Sequence, residues 1–364
     1  MLRSPLIFAG LSLTVLGFCL AAGCSKTEET VTPPNVYQDG KQPPAVSASA
    51  VDGDGLGITF AVDQLFLGDT DRNGSPLTTA WRQFGYNLDK IISDGTGAYE
   101  CKPFGGAAPS TVHQDGDQGT DNSFGKNILP IILGLSPTAS SEINASIQEG
   151  KFTIMLDIAD IGDKPDYKNL LTNLYGGGDL GAVPSWDGSD AWPVYQELLV
   201  NPNDITQGSK VKFTSSYVSG GTWVSGTPGT LDLTIAVAGY QLTLSINKAV
   251  ISMDVPSDLS EATNGVIAGV LNTEDLIDQL RSIAGSFSTS LCQGTTFDSL
   301  ADQLRATSDI MDDGSQNTAS TCNGISIGLG FTAKPVTLGA VLPPAQPGTD
   351  PCNAGGGGAG GGTP

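Results

Sequence analysis

The run HQDGDQGTDNSFGKN, residues 113–127, gathers side chains that carry chemistry: the chain's single histidine, His113, then Asp115, Asp117 and Asp121, and Asn122 beside them. Carboxylate and amide oxygens on a glycine-rich loop that can curl back on itself are the hard ligands that calcium takes. A second stretch, GDTDRNGSP, sets Asp69, Asp71 and Asn73 at the alternating spacing of an EF-hand loop, with Gly74 at the sixth place. The twelfth place is Ala80 and not the bidentate glutamate, so this is no EF-hand. Both loops are candidate calcium sites, and both have a plainer reading, because Asp, Asn and Gly make turns without an ion. For the first loop the plainer reading is specific. SFGKNILPIILGL spaces Phe124, Ile128, Ile131 or Ile132, and Leu135 along one helical face, and Asp121, Asn122 and Ser123 just ahead are good N-caps. Pro130 falls in a tolerated first turn if Asn127 is the cap, and kinks the helix if the cap is Ser123. The reading is therefore turn and cap first, calcium second. Catalysis comes third: no GxSxG elbow accompanies His113, which is expected to be a solvated loop histidine.

A different chemistry is suggested by YGGGDLGAVPSWDGSDAWPVY, residues 175–195. Tyr175, Trp186, Trp192 and Tyr195 are interleaved with acids, Asp187 among them, on a stretch expected to be looped. Aromatic faces pack on sugar C–H surfaces while carboxylates accept hydroxyl hydrogen bonds, a composition suited to carbohydrate. The plainer reading places the tryptophans in the core or over its end. Acids are too numerous for sequence to exclude a glycosidase-type carboxylate pair.

The N-terminus supplies an address. One positive charge at Arg3, an apolar run from Leu6 to Leu20 and small residues before Cys24 make secretory-signal architecture. Ala21-Ala22-Gly23-Cys24 resembles a bacterial lipobox, with Ala21 where leucine is usual and Leu20 one place upstream. The resemblance implies that Cys24 is lipidated and anchors the mature chain; the competing reading is an uncleaved membrane anchor. Ser25, which is not aspartate, resembles the signal for outer-membrane sorting. Residues 1–23 are thus read as leader, 24–51 as a lipid-bearing Thr/Pro/Ser tether, 52–345 as a folded body and 346–364 as a glycine-rich flexible tail.

With 38 acidic against 17 basic residues, the chain repels nucleic acid and anionic head groups. The acid is mostly Asp, a turn and cap residue, which fits a turn-rich β protein. Cys19 leaves with the leader and Cys24 takes lipid, so Cys101, Cys292, Cys322 and Cys352 remain: an even number in an exported protein, hence two disulfides. The sequence-nearest pairing, Cys292 with Cys322, leaves Cys101 for Cys352.

The elements that must position these residues are mostly strands. TLDLTIAVAGYQLTLSI alternates as a hairpin, with Leu231, Leu233, Ile235 and Val237, then Leu242, Leu244 and Ile246, on its buried face. GITFAVDQLFL, KFTIMLDI, KVKFTSSYV, AVISMDV and ISIGLGFTA read as further strands. TEDLIDQLRSIAGSF and TTFDSLADQLRATSDIM carry apolar residues at helical spacing, the second opening on a capping-box-like Thr295 and Asp298. The fold class is mainly β: an antiparallel sandwich or barrel with a few helices.

The segments FGYNLD (84–89), DNSFGKN (121–127) and CNGISIGLGF (322–331) resemble uncharacterised lipoproteins of myxobacteria and their relatives. That resemblance implies a compartment, a lipid anchor at the outer membrane facing periplasm or exterior, and no activity. The function expected is a non-enzymatic envelope binding or structural module, with calcium or a glycan as ligand and the membrane as partner. The alternative is a secreted carbohydrate-active hydrolase.

Overall fold

The computed structural model describes residues 40–343, except 94, 238, 239 and 293, together with Cys352. The leader, the lipidation position Cys24 and the glycine-rich stretch after Cys352 lie outside the described residues. The strands are β1 (Val51–Asp52), β2 (Ile58–Phe66), β3 (Thr153–Ile158), β4 (Tyr167–Gly177), β5 (Ala191–Tyr195), β6 (Leu199–Asn201), β7 (Asp204–Ser209), β8 (Lys212–Ser219), β9 (Thr222–Val224), β10 (Gly229–Val237), β11 (Tyr240–Asp254), β12 (Ala262–Asn272) and β13 (Gly324–Leu342). The helices are α1 (Pro109–Val112), α2 (Leu129–Leu135), α3 (Ala139–Gln148), α4 (Thr273–Phe287) and α5 (Gly294–Arg305). Strand exceeds helix, 36% against 24%, so the chain is mainly β as the alternation implied. None of the described helices is long and apolar enough to cross a membrane.

The strands pair in the order β2-β3-β4-β8-β9-β11-β12-β13, every neighbour antiparallel, and β13 pairs back with β2. The ladder closes on itself, which leaves the ring without a free edge. Two parallel contacts, β1 on β4 and β5 on β13, make the whole sheet mixed, and β10 extends it through β11. Alternation on β13 separates two environments. Ile325, Ile327, Leu329 and Phe331 join the main core with Phe60, Leu156 and Ile267. The intervening Gly328 and Gly330 face the segment around Phe84: a Cβ on Gly328 would meet the Phe84 carbonyl, and one on Gly330 the Phe84 ring. On the other face of β2–β4, Ala61, Met155 and Tyr175 form a second cluster with Trp192, Val194 and Val336.

The helices close one end of this ring. β2 and β12 both run antiparallel to β13, so both finish at the same end. There β2 leads into α1–α3 and β12 into α4–α5. Leu276, Ile277 and Ile283 of α4 and Phe297 and Leu304 of α5 bury into the same core as the strands. The Asn272 side chain caps α4 by accepting the N–H groups of Glu274 and Asp275, at 3.0 and 3.2 Å.

Several expectations need correction. α5 starts at Gly294 and stops at Arg305, so Thr295 lies inside the helix and Met311 beyond it. AVISMDV is the far half of β11 and not a separate strand. β4 and β12 escaped the reading of alternation, because burial is irregular along β4 and nearly continuous along β12. Of the hairpin's buried face, Leu231, Leu233, Leu244 and Ile246 are in the core, while the side chains of Ile235, Val237 and Leu242 lie outside the description. The expected tether yields to structure before residue 51: the Lys41 N–H donates to Gln118, Tyr217 donates to the Pro44 carbonyl and Ala50 is buried. Pro130 is accommodated by a π-helical turn, Phe124–Ile128, that feeds α2, in which the proline is the second residue.

The disulfides also differ from the sequence-nearest pairing: Cys101 joins Cys322 and Cys292 joins Cys352, with Cα separations of 5.1 and 5.2 Å. Backbone pairing sets the first. Lys102 donates its N–H to Ser320 and accepts that of Cys322, which brings Cys101 beside Cys322 across 221 residues of sequence. The second ties a position in the expected tail to the approach of α5. Non-reducing peptide mapping should return these two linkages. Replacing Cys101 and Cys322 together by serine should cost about 2–5 kcal/mol in denaturant unfolding; recovery of a Cys292–Cys322 peptide would contradict the assignment.

Candidate functional site

The loop at 113–127 is not gathered round a common point. Asp117 faces outward and pairs with the Arg82 Nε at 3.0 Å. Asp115 turns inward and accepts the Ser93 N–H at 2.6 Å, and Asp121 is buried and accepts the Leu88 N–H at 2.7 Å. Asn122 is buried too, and its amide is fully used. Its nitrogen donates to the carbonyls of Trp81, Phe84 and Gly328 at 3.1, 3.2 and 2.9 Å. Its oxygen accepts the N–H groups of Gly125 and Gly328 at 2.9 and 3.0 Å. The Gly125 contact is that of an N-cap on the third residue inside, so the turn-and-cap reading describes Asn122. An oxygen with both lone pairs occupied has none for a metal.

In the loop at 69–80, Asp71 accepts the N–H groups of Asn73 and Ser75 at 2.8 and 2.9 Å, which holds its carboxyl below the usual range. This is a self-closing Asx turn, beside which one Asp69 oxygen is buried without a partner. Among the described residues, no three of His, Cys, Asp and Glu are placed to hold a metal ion.

His113 is buried, against expectation. Its ring nitrogens lie 3.0 Å from the Cys101 carbonyl and 3.2 Å from that of Asp309. Around it the fold assembles acids that no motif announced. Asp89 accepts from the Ile91 N–H and the Gln316 amide, Glu100 from the Ser93 hydroxyl and the Tyr99 N–H, and Asp309 from the N–H and hydroxyl of Ser326. Burial raises the carboxyls of Asp89, Asp115, Asp121 and Asp309, and neighbouring carboxylates add to the rise; Asp309 reaches about 7. The Lys126 ammonium is lowered by its own burial.

The aromatic segment divides between core and cleft. Trp192, on β5, is fully buried and donates Nε1–H to the Gly178 carbonyl at 2.8 Å, so it is a core residue and no ligand platform. Trp186 tilts against it at a ring separation of 5.2 Å. Asp187 is exposed, and the hydroxyls of Ser189 and Ser185 hold its carboxyl down at about 2 while they close the turn. Tyr175 and Tyr195 go elsewhere. Together they line a cleft of about 1190 Å³, measured to its open mouth, between the ends of β3 and β4 and the β10–β11 hairpin. Its other walls include Lys151, Gly176, Glu197 and Asp232. Tyr175 is 1% exposed, its hydroxyl has no hydrogen-bond partner among the described residues, and burial pushes its pKa up to about 12. Lys151, Glu197 and Asp232 were not singled out from sequence, since they come from separate strands and connections with no motif in common.

Gly176 is the informative glycine of this cleft. A Cβ built on it would find Leu198 at 3.6 Å and Tyr195 at 3.8 Å, both ordinary contacts, and its φ is not positive. Neither backbone nor packing requires glycine there, whereas a Cβ on the adjacent Gly177 would strike Thr153 and Trp192. A glycine inside a strand weakens it and is expected where something approaches the backbone closely.

Comparison of the chain with protein-family models, curated proteins and solved structures finds no match.

The acids around His113 predict a pH dependence. A carboxyl raised in the folded state holds its proton where the unfolded chain has released it. Its stabilising contribution is therefore complete below the ordinary carboxylate range and is lost as pH rises through the folded value. His113, lowered by burial, acts oppositely, losing stability as pH falls below its ordinary value, but it is one group against four. The thermal midpoint should fall by several degrees between about pH 5 and 8, and Asp115→Asn with Asp309→Asn should flatten that slope. A midpoint that rises over this interval would count against the cluster's burial.

Proposed function

We propose that this protein is a lipid-anchored, non-enzymatic module of the bacterial cell envelope that binds a glycan in the cleft lined by Tyr175 and Tyr195. The observation that carries the reading is Gly176. It leaves the cleft wall free of a side chain where the fold would accept one, beside Tyr195, a half-buried ring suited to stacking on a sugar. Lys151, Glu197 and Asp232 supply charged hydrogen-bonding groups at the walls, and the unpartnered Tyr175 hydroxyl supplies another. The address rests on the leader and on the resemblance of Ala21–Cys24 to a lipobox.

Two measurements test it. On a glycan array followed by titration, Gly176→Leu should weaken binding at least tenfold while leaving the thermal midpoint unchanged or higher, because a strand glycine is replaced by a residue that pairs better. Undiminished binding by that variant would remove the cleft from the proposal. For the anchor, Cys24→Ala should abolish incorporation of a fatty-acid label and leave an unprocessed precursor. Equal labelling of both proteins would exclude lipidation at Cys24.

A second reading has its own support, since Glu197 and Asp232 both line the cleft and glycosidases work with two carboxyls. Release of reducing sugar from a bound glycan, lost in both Glu197→Gln and Asp232→Asn, would establish hydrolysis over binding.

A further inference from the structure

The helical end of the barrel holds a second opening of opposite character. Helices α2 and α3 approach from one side and α4 and α5 from the other, and between them lies a narrow slot. Every residue that lines it is apolar. Leu129 and Ala284 are buried parts of its lining, and Leu135 is 40% exposed. Protein interiors are packed to the density of organic crystals, and an unfilled apolar gap weakens a core. A polar ligand would find no partner inside, so the space suits an aliphatic chain.

A cation beside the lining offers a clue to the head group. Phe297 lines the cleft, and the Arg281 guanidinium lies over its ring at 4.2 Å. Cations are scarce on these two helices. Arg305, the other one, is bound to both Glu274 and Asp302. Arg281 forms one exposed ion pair, through Nη2 to Asp298 at 3.3 Å, and no other hydrogen bond from its guanidinium is seen among the described residues, against two carboxylates for Arg305. On a chain with more than twice as many acids as bases, one half-exposed guanidinium stacks on a ring that lines the apolar slot. We propose that this cleft binds a single fatty-acid chain, its tail among α2–α5 and its carboxylate at Arg281. Forked N–H donors match a carboxylate, and stacking on Phe297 holds the fork in place. The site is distinct from the tyrosine cleft, and neither reading depends on the other.

The test uses the full chain and a conjugated-polyene fatty acid whose fluorescence rises in apolar surroundings. Binding should saturate and be competed by hexadecanoic acid. Ala284→Leu fills a buried part of the slot and should weaken binding at least tenfold, with the thermal midpoint held or raised. Leu135→Asp changes a residue already in contact with solvent and sets a like charge on the lining. It too should weaken the acid, and it keeps the test decisive if the first variant fails to fold. Arg281→Gln should weaken hexadecanoic acid two- to fivefold, about what an exposed ion pair contributes, and leave hexadecanol unaffected. Absence of saturable binding overturns the proposal, as does binding that survives both cleft variants. Saturation that follows a monomer–dimer shift in sedimentation overturns it as well, since the apolar face would then be a contact between copies.

Discussion

One side-chain amide stands in for a piece of missing strand. β2 pairs with β13 only as far as Phe66 opposite Gly330, and beyond that point the backbone of Gly328 turns toward a neighbour that β2 no longer supplies. Asn122 takes that place, donating to the Gly328 carbonyl and accepting its N–H as a peptide unit would. The same amide holds the Trp81–Phe84 turn and the start of the helical segment at Gly125. An unpaired buried peptide group costs about 1–3 kcal/mol, so the long excursion between β2 and β3 is bound to the barrel at the place where the barrel needs it.

From that contact the outer layer follows. The glycines of β13 let Phe84 and its neighbours lie against the strand, and that approach carries Asp89, Asp115 and Asp121 toward Asp309, which enters from the connection before β13. Cys101–Cys322 fastens the same two connections to each other. The buried acids are thus a result of where two excursions meet. Their backbone and hydroxyl donors make the burial tolerable, while burial first and mutual repulsion second raise their carboxyls.

Closure of the ring decides where openings can exist. The closed ring offers no edge strand for a partner to join, β10 standing outside it on β11 alone, and its interior is filled by side chains. What remains is the rim. At one end the connections are long, four helices pack into the core, and β10–β11 projects past β4. Both clefts lie there, one polar and aromatic, the other wholly apolar.

Much of this was legible in residue patterns. The strand patterns of β2, β3, β8 and β13 follow from a strand's period of two, in β13 as large residues alternating with small ones on two buried faces, and the i, i+3, i+4 spacing in α4 placed that helix residue for residue. An even number of cysteines foretold two bridges. β12 was not legible, because a strand buried on both faces loses its alternation, and neither was Trp192, since an aromatic beside acids and glycines has the same composition in a core as in a sugar site. Sequence by itself determined the strand-rich class, the helical faces and the acidic character, all of which depend on the periodicity or composition of neighbouring residues. Only the tertiary structure decided that the ladder closes, that Cys101 meets Cys322, that Asn122 serves a distant strand, and that Tyr175, Gly176, Glu197 and Asp232 share one cleft. Each of these is a meeting of segments far apart in the chain, set by which backbone groups must find hydrogen-bond partners once the core has formed, and no local pattern records it.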